Sequence, residues 1–472
     1  MAVNFDTFCN IIDGQLCGTA QTRYGVNPST LNRNPDVPLS TPDDVERAVV
    51  AGERAAQLWA ETSVAERRDA LTRFADAFAA QRQDFANMLV REQGKPLDQA
   101  TGEIEDAIWK LRGVAKLSLA EEITEDTEDR QVVIRYVPIG VSVGIVPWNS
   151  TFKIGPAIMA GSPIIIKPSP FTPYCGLKLV ELAQAFFPPG VIQALSGDDN
   201  LGPWLTAHPG IKKVSFTGSV ETGKQVMRSC STTLKRVTLE LGGNDPAIVC
   251  PDIDIATMAP KVAAMALWNA GQVCVAVKRV YVHSSIYEKF LSATVDCVKS
   301  LKMADGFERS AFVGPIQNSV QYDRLKTFLA SIENEKLKVV AGDPKTAATG
   351  KGYFISPVVV DNPPENSRLV VEEPFGPIFP LLKWESEDDV IKRANDTDFG
   401  LGASIWTNDV EQANRLARKL HAGTVWINHH MESRPDAPFG GHKYSGIGSE
   451  LGIAGLKSYC NAQVINLDRK GL

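Results

Sequence analysis

Positive charge is in deficit. The chain carries 49 Lys and Arg against 55 Asp and Glu, a formal net charge of −6. Without a cationic field there is little to hold a polyanion, so nucleic acid is not an expected partner. No apolar run reaches the roughly 18 residues that a membrane helix needs, so no membrane partner is expected either. Met1 to Asp6 has neither the basic nor the apolar stretch of a secretory signal. The last residues, Arg469-Lys470-Gly471-Leu472, do not spell a peroxisomal tripeptide. These absences together set a cytoplasmic location as the expectation. Cysteine is modest at 8 residues, and no two stand in a Cys-x-x-Cys pair. Reduced thiols fit that spread better than a disulfide frame or a zinc site. The 6 histidines show no metal-ligand spacing, so no metal centre is expected. Internal repeats and low-complexity linkers are missing as well.

The 472 residues exceed one simple core, and two or three domains are expected. A hydrophobic share of 44% and a charged share of 22% are those of an ordinary globular chain. Residues 41–120 read as helices. Thr41-Pro42-Asp43-Asp44 is a capped start to a periodic stretch ending near Trp59. A second pattern runs from Val64 to Gln93, with Leu71, Phe74, Phe78, Phe85 and Leu89 at helical spacing and Gly94-Lys95-Pro96 as its stop. From Val132 the period changes. Strands are expected at Val132 to Pro138, Gly140 to Val146, Ile164 to Lys167, Gly190 to Leu195, Lys213 to Phe216 and Arg236 to Leu239. Helices are expected at Tyr174 to Phe187 and Thr222 to Cys230. Such alternation argues for an α/β fold with a parallel sheet. A second alternating block runs from about Ala247 to residue 440, with strands at Val280 to Val282, Val339-Val340 and Val358 to Val360. Strand character returns at Gln463 to Leu467.

Several segments carry chemistry. Thr217-Gly218-Ser219-Val220-Glu221-Thr222-Gly223-Lys224 is a strand-to-helix turn of small residues. Its amides and the helix start suit a phosphate. The spacing imitates a nucleotide-hydrolase loop, but Gln225 stands where that loop needs Ser or Thr for Mg²⁺. A tight turn with no ligand is the plainer alternative. Glu240-Leu241-Gly242-Gly243-Asn244 places a carboxylate beside two glycines, where burial would make Glu240 a base. A solvated strand-end glutamate fits the same letters. In Gly271-Gln272-Val273-Cys274 the thiol is either a packing residue or a nucleophile. Asn149, after Pro147-Trp148, has an amide able to donate to a developing oxyanion.

Taken in order, these segments resemble the aldehyde dehydrogenase superfamily. The likeness runs from about Asn10 to Leu467 and includes Lys167-Pro168-Ser169, Phe216-Thr217-Gly218-Ser219, Glu372-Glu373-Pro374-Phe375-Gly376-Pro377 and Pro438-Phe439-Gly440-Gly441 up to Ser445-Gly446. The resemblance implies NAD(P)-dependent oxidation of an aldehyde to a carboxylic acid. Cys274 would form a thiohemiacetal and then a thioester, Glu240 would activate the hydrolytic water, and Asn149 with the Cys274 amide would hold the oxyanion. Ile145, Pro147, Trp148, Lys167, Ser169, Phe216, Thr217, Gly218, Ser219, Leu241, Gly242, Glu373 and Phe375 would bind the cofactor. Lys167 would contact the adenosine ribose, Ser219 the diphosphate, and Glu373 the nicotinamide ribose. Glu450 would belong to a proton relay. The implied fold has a Rossmann-like cofactor domain (1–120 and 144–246), an α/β catalytic domain (247–445) and a small β oligomerisation arm (121–143 and 460–472). A dimer or tetramer would follow.

Two departures from the family pattern bear on function. Only Ser150-Thr151-Phe152 separate Asn149 from Lys153-Ile154-Gly155-Pro156, about five residues fewer than usual, or more than one helical turn. That loss implies a remodelled substrate tunnel; the alternative is a catalytically impaired relative that only binds nucleotide. Pro170 stands where many NAD-preferring relatives have a ribose-binding glutamate. NAD is the expected cofactor, with NADP left open.

Overall fold

Strand-forming runs alternate with helices along most of the chain, and that alternation resolves into two mostly parallel sheets. The structure, a computed structural model, describes residues 3–147, 153–345 and 351–470. Eight strands form the first sheet, in the order Gln15–Cys17, Asn10–Ile12, Ile192–Ala194, Ile164–Pro168, Ser142–Val146, Lys213–Thr217, Arg236–Glu240, Gly446–Ile447. The inner five are parallel, and the chain enters them at Ser142–Val146. It then builds outward to one side before crossing to the other at Lys213–Thr217. Strand order therefore reverses between these two strands, and a crevice opens beyond their carboxyl ends.

The second sheet has seven strands, in the order Val339–Ala341, Val358–Asp361, Ile378–Trp384, Val277–His283, Asp245–Val249, Gly402–Trp406, Thr424–Ile427. All pairs are parallel except the first. Its central strands are buried throughout, as their Val- and Ile-rich runs require. The strands Ser142–Val146 and Asp245–Val249 run across positions 143/144 and 246/247. Gly446–Ile447 also returns to the first sheet, antiparallel to Arg236–Glu240.

The helix Pro42–Ala60 opens on the expected cap: Thr41 Oγ1 accepts from the Asp44 amide while the Asp44 carboxylate accepts from the Thr41 amide. The Val64 to Gln93 pattern is two helices, Val64–Ala80 and Arg82–Gln93. No Gly or Pro marks the break at Gln81, whose side-chain oxygen instead accepts from the Val3 amide at 2.8 Å. The helix expected to reach Phe187 ends as Tyr174–Ala183. Tertiary packing overrides periodicity there, since Phe187 turns in against Trp59 and Phe74. A three-stranded antiparallel arm joins Glu122–Asp126, Arg130–Pro138 and Cys460–Asp468. It leaves Ile123, Val464, Ile465 and Leu467 exposed.

Candidate active site

The crevice at the strand-order reversal is a cleft of about 670 Å³. Ile145, Val146 and Pro147 come from the end of one strand, and Phe216, Thr217 and Gly218 from the end of its neighbour. The helix Val220–Ser231 starts at its rim, with Ser219 as N-cap and its hydroxyl accepting from the Thr222 amide at 3.2 Å. That helix start offers partial positive charge and free amides to an anion. Lys167 and Ser169 form the other wall with Pro170. Burial pushes the Lys167 ammonium down to about 8, against the pull of Asp199.

The cysteine loop follows the helix Ile255–Leu267. Asn269, Ala270 and Gly271 are all left-handed, at φ 52°, 53° and 71°. Left-handed Asn and Ala cost roughly 1–3 kcal/mol each, so the surroundings must impose the turn. A Cβ on Gly271 would collide with the Gly376 carbonyl, which explains the glycine. Fully buried Gln272 staples the loop. Its amide donates to Asn269 O at 3.1 Å and Pro315 O at 3.2 Å, and its oxygen accepts from the Gln317 amide at 2.9 Å. Lys278 Nζ donates to the Val273 and Cys274 carbonyls, each at 2.8 Å, and pairs with Glu373 at 3.3 Å. Held in this way, Cys274 lines a second cavity of about 390 Å³ with Glu240, Thr217, Met265, Trp268 and Phe439. Burial pushes its thiol up to about 12; Lys278 opposes the rise, while Glu240, Glu373 and Asp245 add to it.

Glu240 ends the strand Arg236–Glu240 and is buried. Its Oε2 lies 3.4 Å from Lys153 Nζ and accepts from Thr217 Oγ1 at 3.4 Å. Oε1 has no hydrogen-bond partner among the described residues. Lys153 also reaches Glu450 Oε1 at 3.3 Å, and Ser215 donates to that same oxygen. Burial alone would depress the Lys153 ammonium, but the two carboxylates outweigh it and hold it above the ordinary lysine value. Glu240 is raised, by burial first and by Glu450 second, with Lys153 opposing.

The structure thus brings Cys274 and Glu240 to one cavity and links Glu240 to Glu450 through Lys153. Lys153 is a site residue that sequence reasoning passed over; its signal was a lone charge heading the apolar run Ile154-Gly155-Pro156. Ile145, Pro147, Lys167, Ser169, Phe216, Thr217, Gly218 and Ser219 all line the cleft. Leu241, Gly242, Glu373 and Phe375 are not among its lining residues. Leu241 packs beneath the helix at Gly223, and Glu373 accepts from the Gly243 amide at 3.2 Å. Trp148, Asn149 and the segment Ser150 to Phe152 lie outside the described residues. Sequence reasoning also missed the cavity's charged lining, Lys95, Glu103, Asp106 and Lys110, with His430 and Glu432.

Parallel strands, a cleft at the order reversal and an adjoining cavity with a thiol and a buried carboxyl define a nucleotide-dependent enzyme of the α/β class. Known proteins narrow the class. The sequence profile of the Aldehyde dehydrogenase family matches residues 18–465. Aldehyde dehydrogenase LUC3 of a Fusarium species is 41% identical over 98% of this chain and 100% of the relative. The chloroplastic betaine aldehyde dehydrogenase of Amaranthus hypochondriacus is 34% identical over 94% and 92%. Among solved structures, the NAD+ complex of a Bacillus cereus aldehyde dehydrogenase superposes with a TM-score of 0.94 at 33% identity, covering 98% of this chain and 96% of its own. An NADP-dependent enzyme of E. coli gives 0.95 at 32%, covering 98% of both. The chain belongs to the aldehyde dehydrogenase family, whose members oxidise aldehydes with NAD(P). The cleft suits that cofactor: it lies at the switch point, has a helix start for a diphosphate, and offers Lys167 and Ser169 on its far wall.

Proposed function

We propose that this protein oxidises an aldehyde to a free carboxylic acid, with Cys274 as nucleophile and Glu240 as hydrolytic base. The observation that carries the reading is that the two cavities adjoin: Thr217 lines both, so a cofactor in the cleft and an aldehyde on Cys274 would lie on either side of one residue. The Cys274 sulfur gives its proton to Glu240, which passes it on to Lys153 and Glu450, and bonds to the carbonyl carbon, giving a thiohemiacetal. Asn149 and the Cys274 amide hold the oxyanion. NAD(P), held by the cleft residues Lys167, Ser169 and Ser219, would supply the acceptor for the hydride that leaves this carbon. The thioester that remains is hydrolysed when Glu240 takes a proton from the attacking water; the carbon–sulfur bond breaks and the acid departs. That Glu240 Oε1 has no hydrogen-bond partner among the described residues supports this role. Lys153 and Glu450 then carry it away from the cavity. Replacing Cys274 with Ala abolishes formation of reduced nicotinamide with any competent aldehyde; surviving turnover would refute the assignment.

NAD is the first choice of cofactor. Pro170 lines the cleft and carries no charge to repel a 2′-phosphate, so NADP is a usable alternative. Leu241, Gly242, Glu373, Phe375 and Trp148 would hold the nicotinamide end. The first sheet and its helices hold the cofactor, and the second sheet supplies the cysteine. The arm, with its free strand edge and apolar face, pairs with a second subunit in a dimer or tetramer. Cytoplasmic location fits the reduced, unpaired cysteines.

A further inference from the structure

Part of the lining of the Cys274 cavity is charged, and its charges are matched in an unusual way. Glu103, Asp106 and Lys110 fall on one face of the helix Leu97–Val114, at spacings of three and four residues. Lys95 lies just before that helix. Lys95 pairs with Glu103, and Lys110 with Asp106. In each pair the lysine is the hidden partner: the Lys95 and Lys110 side chains are 2% and 5% exposed, against 26% for Glu103 and 41% for Asp106. All four residues line the cavity. Lys110 also interacts electrostatically with Glu103 and with Glu432, which faces the cavity from the loop beyond Thr424–Ile427. The lining also includes the apolar Met265, Trp268, Val273, Met431 and Phe439.

We infer that Lys110, with Lys95, acts as a resident countercation that sets the substrate class: the enzyme takes uncharged aldehydes with an apolar body and discriminates against cationic ones. This rests on the aldehyde dehydrogenase reading and deepens it. Four carboxylates line the cavity; Glu240 has Lys153 as its partner, and Glu103, Asp106 and Glu432 would by themselves make a site for an ammonium group. Here two buried ammonium groups already pair with Glu103 and Asp106, and half-exposed Glu432, 3.7 Å from His429 and within reach of the Lys110 charge, is screened by solvent. A substrate cation would have to displace a lysine or lie beside one. The apolar lining gains instead from burying carbon.

An isosteric pair tests this: (trimethylammonio)acetaldehyde and 3,3-dimethylbutanal differ only in a charged nitrogen or neutral carbon at the branch. The quantity read is the ratio of their kcat/KM values, compared between wild type and Lys110→Met. Intrinsic differences in aldehyde reactivity and hydration cancel in that comparison. Removing the resident cation is expected to shift the ratio toward the charged aldehyde by roughly ten- to a hundredfold, the worth of one near-surface charge contact. Asp106→Asn, at the exposed end of the pair, should shift it the other way. Retained turnover of 3,3-dimethylbutanal shows that a variant is folded. A ratio unmoved in both active variants overturns the inference, as does wild type favouring aminoaldehydes over their neutral homologues, tested with 3-aminopropanal against butanal. Turnover of no aldehyde in wild type would instead overturn the underlying reading, and the inference with it.

Discussion

At the scale of single residues, the chemistry rests on where burial places protons. The Cys274 thiol is pushed up to about 12, so the free enzyme holds it protonated at neutral pH. Its alkylation by iodoacetamide should therefore rise about tenfold per pH unit from roughly pH 7 to 10, because the thiolate reacts and its fraction grows with pH. A rate flat across that range would show an activated thiolate instead. Glu240 works in the opposite sense. A base must be ionised, and its carboxyl is held above the ordinary range, so hydrolysis should fail on acidification at a pH above that of a solvated glutamate. Lys153 opposes the rise. Lys153→Met should move this acid limb to still higher pH, while Lys153→Arg should largely restore it; the pH profile of kcat is the readout. A Lys153→Met profile superposing on that of wild type would mean that Lys153 only fills space.

At the scale of elements, the cysteine loop is a left-handed turn kept in place by Gln272 and Lys278. Gln272→Ala strips three side-chain hydrogen bonds and leaves the buried Pro315 carbonyl and Gln317 amide unpaired, while the Asn269 carbonyl keeps the backbone amide of residue 272; the loss is about 3 kcal/mol. A clear fall in melting temperature with a larger fall in kcat is expected; loss of activity with unchanged stability would contradict the staple. The sequence pointed to this loop through the glycine and amide before Cys274, but it could not say that the amide serves structure. Strands were legible wherever Val and Ile run together, as at Ile164–Pro168 and Val358–Asp361, because such runs fit a sheet buried on both faces. The end of Tyr174–Ala183 falls four residues before the expected one: Pro188-Pro189-Gly190 is a local stop, and the chain leaves the helix a turn before it, with Phe187 packed on Trp59 and Phe74. The lysine between two glutamates was hidden because Lys153, Glu240 and Glu450 are far apart in the chain and meet only in the fold.

For the whole molecule, order along the chain carried most of the information. The cleft sits where strand order reverses, and the cleft motifs read from the sequence arrive at it from both sides of that point. The arm is the element that looks outward. Its apolar residues Val464 and Ile465 lie on an exposed strand beside Arg130–Pro138. Replacing Val464 and Ile465 together with Lys should lower the mass seen by light scattering while leaving the fold intact; an unchanged mass would place the subunit contact elsewhere. The central claim, a Cys274 thioester released by Glu240, is tested most directly by mixing the Glu240→Gln enzyme with aldehyde and NAD(P) and following it on the stopped-flow timescale and by mass spectrometry. The account predicts a slowed burst of reduced nicotinamide, a stalled steady state and an acyl adduct on the Cys274 peptide. Steady turnover at the wild-type rate, or an adduct-free Cys274, would contradict it.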